Sequence, residues 1–251
     1  VHDLLSKYFR DEHVRLAVAF QSKYLGMSPF ECPSLFTILP FIEYEFGVWH
    51  PAGGCHGLMQ ALARVAQQAG AEIRTESPVE AIAFDGRRAS GVVVGGERIE
   101  HDAVVVNADA TWALKHLIPA DVRSRLADWS SDDQIDRRKY SCSTYMMYLG
   151  VDGAIDLPHH TIYTSAGYRQ NLEAIGAGAS VGDDPSIYLC NASATDDTLA
   201  PPGKSSLYVL VPVGNLKPGG ASAVDWQAEA PRLREVALDQ IERVMGVRDL
   251  R

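Results

Sequence analysis

The chain has 251 residues, 46% of them hydrophobic, which is ample for a core in one large or two modest domains. A formal net charge of −9 opposes nucleic-acid binding, which needs a basic face, and argues against simple electrostatic attachment to anionic lipid. Cys32, Cys55, Cys142 and Cys190 lie far apart with no Cys-x-x-Cys, so neither the usual zinc spacing nor a disulfide framework is present, and free thiols in a reducing cytosol are expected. No apolar run reaches the roughly eighteen residues of a membrane-spanning helix, and nothing at Val1 looks like a signal peptide. The chain begins without Met and ends inside a helical pattern at Arg251, so it reads as a fragment.

From Val1 to Leu25 the apolar spacing is helical, with a stop at Gly26 and Pro29 beyond it. Cys32–Phe46 is unusually rich in apolar and aromatic residues for a connector, and predicts a helix from Pro33 that is interrupted or kinked at Pro40. Two readings of it stand: an ordinary core helix, or a segment that lines a long apolar tunnel or dips into a bilayer surface. Apolar residues all round the helix speak against the interfacial variant, which needs a one-sided face.

Gly-Val-Trp-His-Pro-Ala-Gly-Gly-Cys-His-Gly-Leu (Gly47–Leu58) then leads into an amphipathic helix, Leu58–Ala69, with Leu58, Leu62, Val65, Ala66 and Ala69 on one expected buried face. Gly70 ends it. A short strand (Ala71–Thr75), a β-run at Ser77–Phe84, a turn at Asp85-Gly86 and a second run at Ala89–Val94 follow. Gly95-Gly96 marks a hairpin, and an apolar strand, Ala103–Asp109, ends in Asn-Ala-Asp.

Helices are expected at Ala110–Leu117 and Asp121–Trp129, and the polar joint Ser130–Lys139 predicts a domain boundary. Beyond it the period becomes strand-like in Ser143–Gly150, His160–Thr164, Ser186–Asn191 and Ser206–Val211, with a short helix near Tyr168–Ile175, which suggests a mainly antiparallel sheet. Asp225 caps a last helix, Trp226–Met245.

Gly53-Gly54 is the best functional candidate, because a backbone without Cβ can approach a planar ring or a phosphate closely and the following helix offers N–H groups. A tight helix–strand turn explains the pair equally well when it is taken alone. Gly178-Ala-Ser-Val-Gly182 matches a nucleophile elbow but lacks the strand before it and the helix after it, so a flexible loop is expected. The phrase opening at Gly176-Ala177-Gly178 fails as a dinucleotide turn at Val181, and the sequon at Asn191 has no meaning in a cytosolic protein. His159-His160 has no evident carboxylate or cysteine cluster in sequence and reads as a surface turn, with no metal expected. Trp49 and His50 precede the glycine pair and are candidates for a substrate-pocket wall. No catalytic acid or base is assigned; His50, Asp196 and Asp197 are candidates only.

The order of glycine pair, helix, strand, β-meander and Asn-Ala-Asp strand resembles the cofactor half of two-dinucleotide-fold flavoproteins. With Pro33–Ile38 and Gly47–Trp49 ahead, and Tyr188-Leu189, Thr195-Asp196 and Leu199–Pro201 behind, it resembles the bacterial phytoene desaturase (carotenoid desaturase) family from about Phe20 to Leu238. The resemblance implies a mixed α/β and α+β fold: residues 1–46 a helical part of a substrate domain, 47–130 a partial FAD-binding domain, and 131–251 an antiparallel-sheet and helix substrate domain. It also implies FAD, with Gly53 and Gly54 near the flavin, the Val79 backbone at the adenine end, and Asn107, Ala108 and Asp109 running beside the cofactor. The implied activity is oxidation of C–C single bonds of a long isoprenoid by hydride transfer to flavin. Its location would be cytoplasmic, with peripheral contact at the inner face of the cell membrane. Such enzymes open with a strand and a Gly-x-Gly-x-x-Gly turn, which this chain does not hold, so the chain alone is expected to bind FAD poorly and to be inactive. Two alternatives stay open: another flavoprotein of the superfamily, such as an amine oxidase or a retinol saturase-like reductase, and a non-catalytic lipid-binding module. The oligomeric state is not legible.

Overall fold

The helical pattern of the first 25 residues resolves into α1 (His2–Leu5), α2 (Glu12–Ala19) and a 3-10 turn (Phe20–Leu25) in the computed structural model, which describes residues 1–126, 130–216, 224–247 and 250. Asp11 caps α2 by accepting from the Val14 N–H. Gly26 ends the stretch for two reasons: its φ is +66°, and a Cβ there would stand 2.7 Å from that of Ser141.

A second 3-10 turn (Ser34–Thr37) leads into α3 (Ile38–Phe46). The expected break at Pro40 does not occur. Pro40 falls in the first turn, where a missing N–H removes no helical bond, and it is the one residue α3 buries. Leu35, Phe41, Tyr44 and Phe46 are 75%, 58%, 78% and 64% exposed, so α3 is not an ordinary core helix among the described residues.

Helix α4 runs from Gly54 to Gln68, and Gly70 closes it with φ +94°. Its apolar stripe was expected to be buried, yet Leu58, Leu62 and Val65 are each about half exposed. Periodicity states that a face is apolar; it does not supply the surface that covers it.

The chain divides into two compact units, Val1–Leu62 with Tyr140–Arg251, and Ala63–Lys139. The sequence placed divisions after residues 46 and 130. The start of α4 belongs with the first unit because Asp196 and Leu199 hold the glycine pair there. The polar joint is itself folded, as described below.

The second unit contains an antiparallel meander, β1 (Val79–Asp85), β2 (Arg88–Val94) and β3 (Glu97–Glu100), turning at Gly86 and at Gly95-Gly96. Helices α5 (Ala110–His116), α6 (Ala120–Leu126) and α7 (Asp132–Asp136) follow. The end of the predicted Asp121–Trp129 helix lies outside the described residues. Ile82, Ala113 and Leu117 form a small core, and the Ile82 N–H donates to the Leu117 carbonyl at 2.8 Å. Ser131 caps α7 and Ile135 is fully buried, so the charged joint packs through one apolar side chain. Neither Ala71–Thr75 nor Ala103–Asp109 forms a strand: both lack a ladder partner among the described residues, and Val105 is 92% exposed.

In the first unit β4 (Ser143–Val151), β5 (His160–Tyr163), β6 (Ile187–Asn191) and β7 (Ser205–Val213) make one antiparallel sheet in the order β4–β7–β6–β5. Helix α8 (Tyr168–Ala177) lies between β5 and β6 in sequence. α9 (Trp226–Gln240) is capped by Asp225 and continues as a π-turn over Ile241–Met245. Strand pairing aligns Thr161, Leu189, Val209 and Met147 in one row across the sheet. Leu189, Val209 and Met147 of that row join Leu172, Ile175, Leu233 and Leu238 of α8 and α9 in the main core. Each such side chain stabilises the fold by roughly 1.5–3 kcal/mol on burial. The adjacent row, His160, Cys190, Tyr208 and Tyr148, shares the other face.

Two substitutions test these assignments in urea denaturation. Leu233→Ala, at a fully buried site, is expected to cost about 2–5 kcal/mol. Gly91→Ala would drive a Cβ to 2.1 Å from the Ile99 carbonyl oxygen, a backbone atom that cannot swing away, and is expected to cost at least about 1–3 kcal/mol.

Candidate functional site

Two successive left-handed residues open α4, Gly53 at φ +79° and Gly54 at φ +71°, a geometry that glycine adopts without strain. Gly54 is buried, and a Cβ on it would make ordinary van der Waals contact with Leu199 at 3.5 Å. Gly53 is exposed, and a Cβ there would meet nothing nearer than Gly57 Cα at 4.0 Å. The pair therefore presents one open peptide face.

Its N–H groups are already engaged. Gly53 donates to Asp196 Oδ2 at 2.6 Å, and Gly54 donates to the Pro51 carbonyl at 2.9 Å. Asp196 Oδ1 accepts from the Thr198 hydroxyl at 2.6 Å and from the Thr198 N–H at 3.0 Å. The Thr198 hydroxyl first, and the Gly53 N–H next, hold the Asp196 carboxyl well below its ordinary range, at about 2. The expectation that this helix start offers free N–H groups thus fails at the glycine pair itself, because a carboxylate from 143 residues away occupies it. An added phosphate would meet that negative charge, whereas an uncharged planar ring can lie on the open Gly53 peptide.

His50 stands beside the carboxylate, with Nε2 3.5 Å from Asp196 Oδ2. That nitrogen is buried and makes no hydrogen bond. The His50 ring meets His159 edge-on at 5.0 Å, and His159 in turn lies 4.4 Å from His160. His159 Nδ1 pairs with Thr195 Oγ1 at 2.7 Å and His160 Nδ1 with the Tyr188 hydroxyl at 2.6 Å, which also bonds Tyr208. Desolvation, then the neighbouring imidazoles, pushes both His159 and His160 below the usual histidine range, so both rings are neutral at pH 7.

The structure thus brings Gly53, Gly54, His50 and Asp196 together. Trp49 is 85% exposed and, among the described residues, bonds only back to the Phe46 carbonyl, and Asp197 takes no part in the carboxylate tie. Val79, the first residue of β1, and Asn107, Ala108 and Asp109 belong to the second unit, where Asp109 caps α5 through the Trp112 N–H. Ser180 is no nucleophile: its hydroxyl donates to Glu229, and Arg232 donates to it, which ties the expected flexible loop to α9. Asn191 is buried, its amide bonded to the Ile155 and Leu157 carbonyls. Two things escaped sequence reasoning. One is Asp196 as the anchor of the glycine turn. The other is Cys190 beside His159 and His160, which the β5–β6 register could have revealed.

The glycine turn thus opens a helix on a mixed fold of helices and antiparallel sheets, and that fold is shared with known proteins. A solved oxidoreductase from Methanosarcina mazei shares the fold, with a TM-score of 0.65 at 18% identity over 96% of this chain and 51% of that one. The family model for FAD-dependent oxidoreductases matches residues 7–162, and the chain belongs to that family. It is 43% identical to the 4,4'-diapophytoene desaturase (4,4'-diapolycopene-forming) of a Methylomonas species, over 100% of this chain and 48% of that protein. It is 44% identical to the all-trans-zeta-carotene desaturase of Myxococcus xanthus, over 98% and 46% respectively, and 32% identical to a phytoene desaturase of Phycomyces blakesleeanus. The chain spans about half the length of these curated relatives.

The Asp196 tie carries a testable consequence. Asp196→Ala and Thr198→Val are both expected to lower the melting temperature and the hydrogen-exchange protection of the Gly53 amide, the first more than the second. Because folding depresses this carboxyl, its contribution is complete above the unfolded value of about 3.9 and is lost as pH falls through about 2. Gly53 protection that is unchanged in Asp196→Ala would refute the tie.

Proposed function

We propose that this chain is part of a FAD-dependent desaturase that introduces C–C double bonds into a long isoprenoid. The observation that carries the reading is end-to-end similarity at 43–44% identity to carotenoid desaturases. The chain's own residues fit one end of the cofactor: the exposed Gly53 peptide suits a flat ring, while the glycine turn leaves a pyrophosphate no free N–H. Gly53 and Gly54 would lie near the flavin, the Val79 backbone near the adenine, and Asn107, Ala108 and Asp109 alongside. Bound FAD would supply the hydride acceptor for an allylic C–H bond. Asp196, ionised down to about pH 2, is too weak a base to receive the accompanying proton, and serves to hold the turn. His50, with a buried Nε2 that makes no hydrogen bond among the described residues, is the candidate acceptor, and Trp49 would wall the substrate pocket. The location is cytoplasmic.

A substrate dissolved in lipid requires access to a bilayer, and the exposed Leu35, Phe41, Tyr44, Phe46 and Trp49 offer an apolar surface for it. Among the described residues no helix is long and apolar enough to cross a membrane. Glu43 and Glu45 favour uncharged over anionic lipid here.

The test is the longer protein encoded by the gene around this segment. It should purify with about one FAD and convert a phytoene-type polyene to a more conjugated product; oxidation of an amine instead would move the reading to the amine-oxidase branch. His50→Gln should lower turnover by about 10²-fold or more with flavin content unchanged. Phe41→Ser with Trp49→Ser should weaken flotation with phosphatidylcholine vesicles, and equal flotation would remove this face from the membrane contact.

A further inference from the structure

The antiparallel register of β5 and β6 sets His160 directly opposite Cys190, and the Asn191 N–H donates to the His159 carbonyl at 2.9 Å. Three soft or borderline donors meet there: one ring nitrogen each of His159 and His160, and Cys190 Sγ, all within 4.8 Å of one another. We propose that His159, His160 and Cys190 form a Zn²⁺ site with two imidazoles, one thiolate and an open fourth position for water.

Distances, tautomers and surroundings all bear on this. Donor atoms around a tetrahedral zinc stand roughly 3.3–3.8 Å apart, given bonds of about 2.0–2.3 Å, so closure asks each side chain for a shift of well under an ångström or so. Both rings make their hydrogen bonds through Nδ1, to the Thr195 and Tyr188 hydroxyls, which leaves Nε2 for a metal. A ligating histidine is commonly oriented in this way, its second nitrogen fixed by an oxygen. Cys190 is 3% exposed, and burial above all pushes its thiol above the ordinary range, offset only in part by the Tyr188 and Tyr208 hydroxyls, so zinc would have to displace the thiol proton. Binding would form two Zn–N bonds and one Zn–S bond and release the single thiol proton to solvent.

The site would join the edge strand β5 to β6. It would also fix the ring of His159, which rests on His50 beside the glycine turn. This inference rests on the local donor set and not on the proposed redox activity.

The experiment is titration of the reduced, metal-free chain with ZnCl₂ by calorimetry, and with CoCl₂ by absorbance. The expected result is one equivalent per chain, a near-ultraviolet thiolate-to-cobalt charge-transfer band, and a rise in melting temperature. Cys190→Ser should abolish the band, and His160→Gln should weaken binding by tenfold or more. Cys55→Ser, which removes an exposed thiol outside the cluster, should change neither. Far-UV circular dichroism confirms that the variants are folded. Absence of stoichiometric binding, or binding and a band that survive Cys190→Ser, would overturn the proposal.

Discussion

The hydrogen bond from the Gly53 N–H to the Asp196 carboxylate is the constraint around which the first unit is arranged. Two consecutive left-handed glycines turn their N–H groups outward in quick succession, and each needs an acceptor once the turn packs against protein. A neutral acceptor would satisfy the turn. A carboxylate does more, because it also faces the positive end of α4 and is itself secured by both donors of Thr198. The contact therefore joins the start of α4 to the start of the Asp197–Leu199 turn, which Asp196 caps. It also sets the packing of Leu199 under Gly54, and it brings His50 to a carboxylate. It determines the chemistry of the turn as well: a helix start that already holds an anion suits an uncharged ring better than a phosphate.

The four-stranded sheet separates stability from chemistry by its period of two. The row through Leu189, Val209 and Met147 faces α8 and α9 and carries the core, and the neighbouring row carries His160, Cys190, Tyr208 and Tyr148. A slip of β5 by one residue along β6 would turn the His160 side chain toward the apolar core, while Leu189 stays buried through its pairing with Val209. The burial of Leu189 thus fixes where the polar row stands. Asp184 helps hold the nearby sequence in place by accepting from the Tyr163 hydroxyl, the Ala166 N–H and the Gln240 amide.

Elements defined by local chemistry were legible in sequence. Gly-Gly and Asp-Gly turns located the β1–β2–β3 meander, alternation located all four strands of the larger sheet, and Asp225 located the start of α9. Elements that depend on distant partners were not. Ala103–Asp109 has the composition of a buried strand, but a strand exists only where another backbone completes its ladder. The stripe on α4 was read correctly as apolar and wrongly as covered. Asp196 was visible as an acid, but nothing in a local pattern links it to Gly53 across 143 residues. His159 and His160 read as a surface turn for the same reason, since their cysteine neighbour is contributed by another strand.

The unburied apolar faces belong to this same argument. Leu58, Leu62 and Val65 on α4, the exposed Val105, and Phe41, Tyr44 and Trp49 near α3 are too many to be scattered surface residues. The α4 stripe and the Val105 segment are of the kind that protein covers: one is a helix face, and the other a β-type run whose backbone groups call for a neighbouring strand. The α3 surface differs in being aromatic and irregular and bordered by Glu43 and Glu45. Physical character thus separates two sets of exposed residues that hydrophobicity alone would merge. On this division the glycine turn sits where the uncovered apolar stripe of α4 begins, only a few residues along the chain from the aromatic surface of α3.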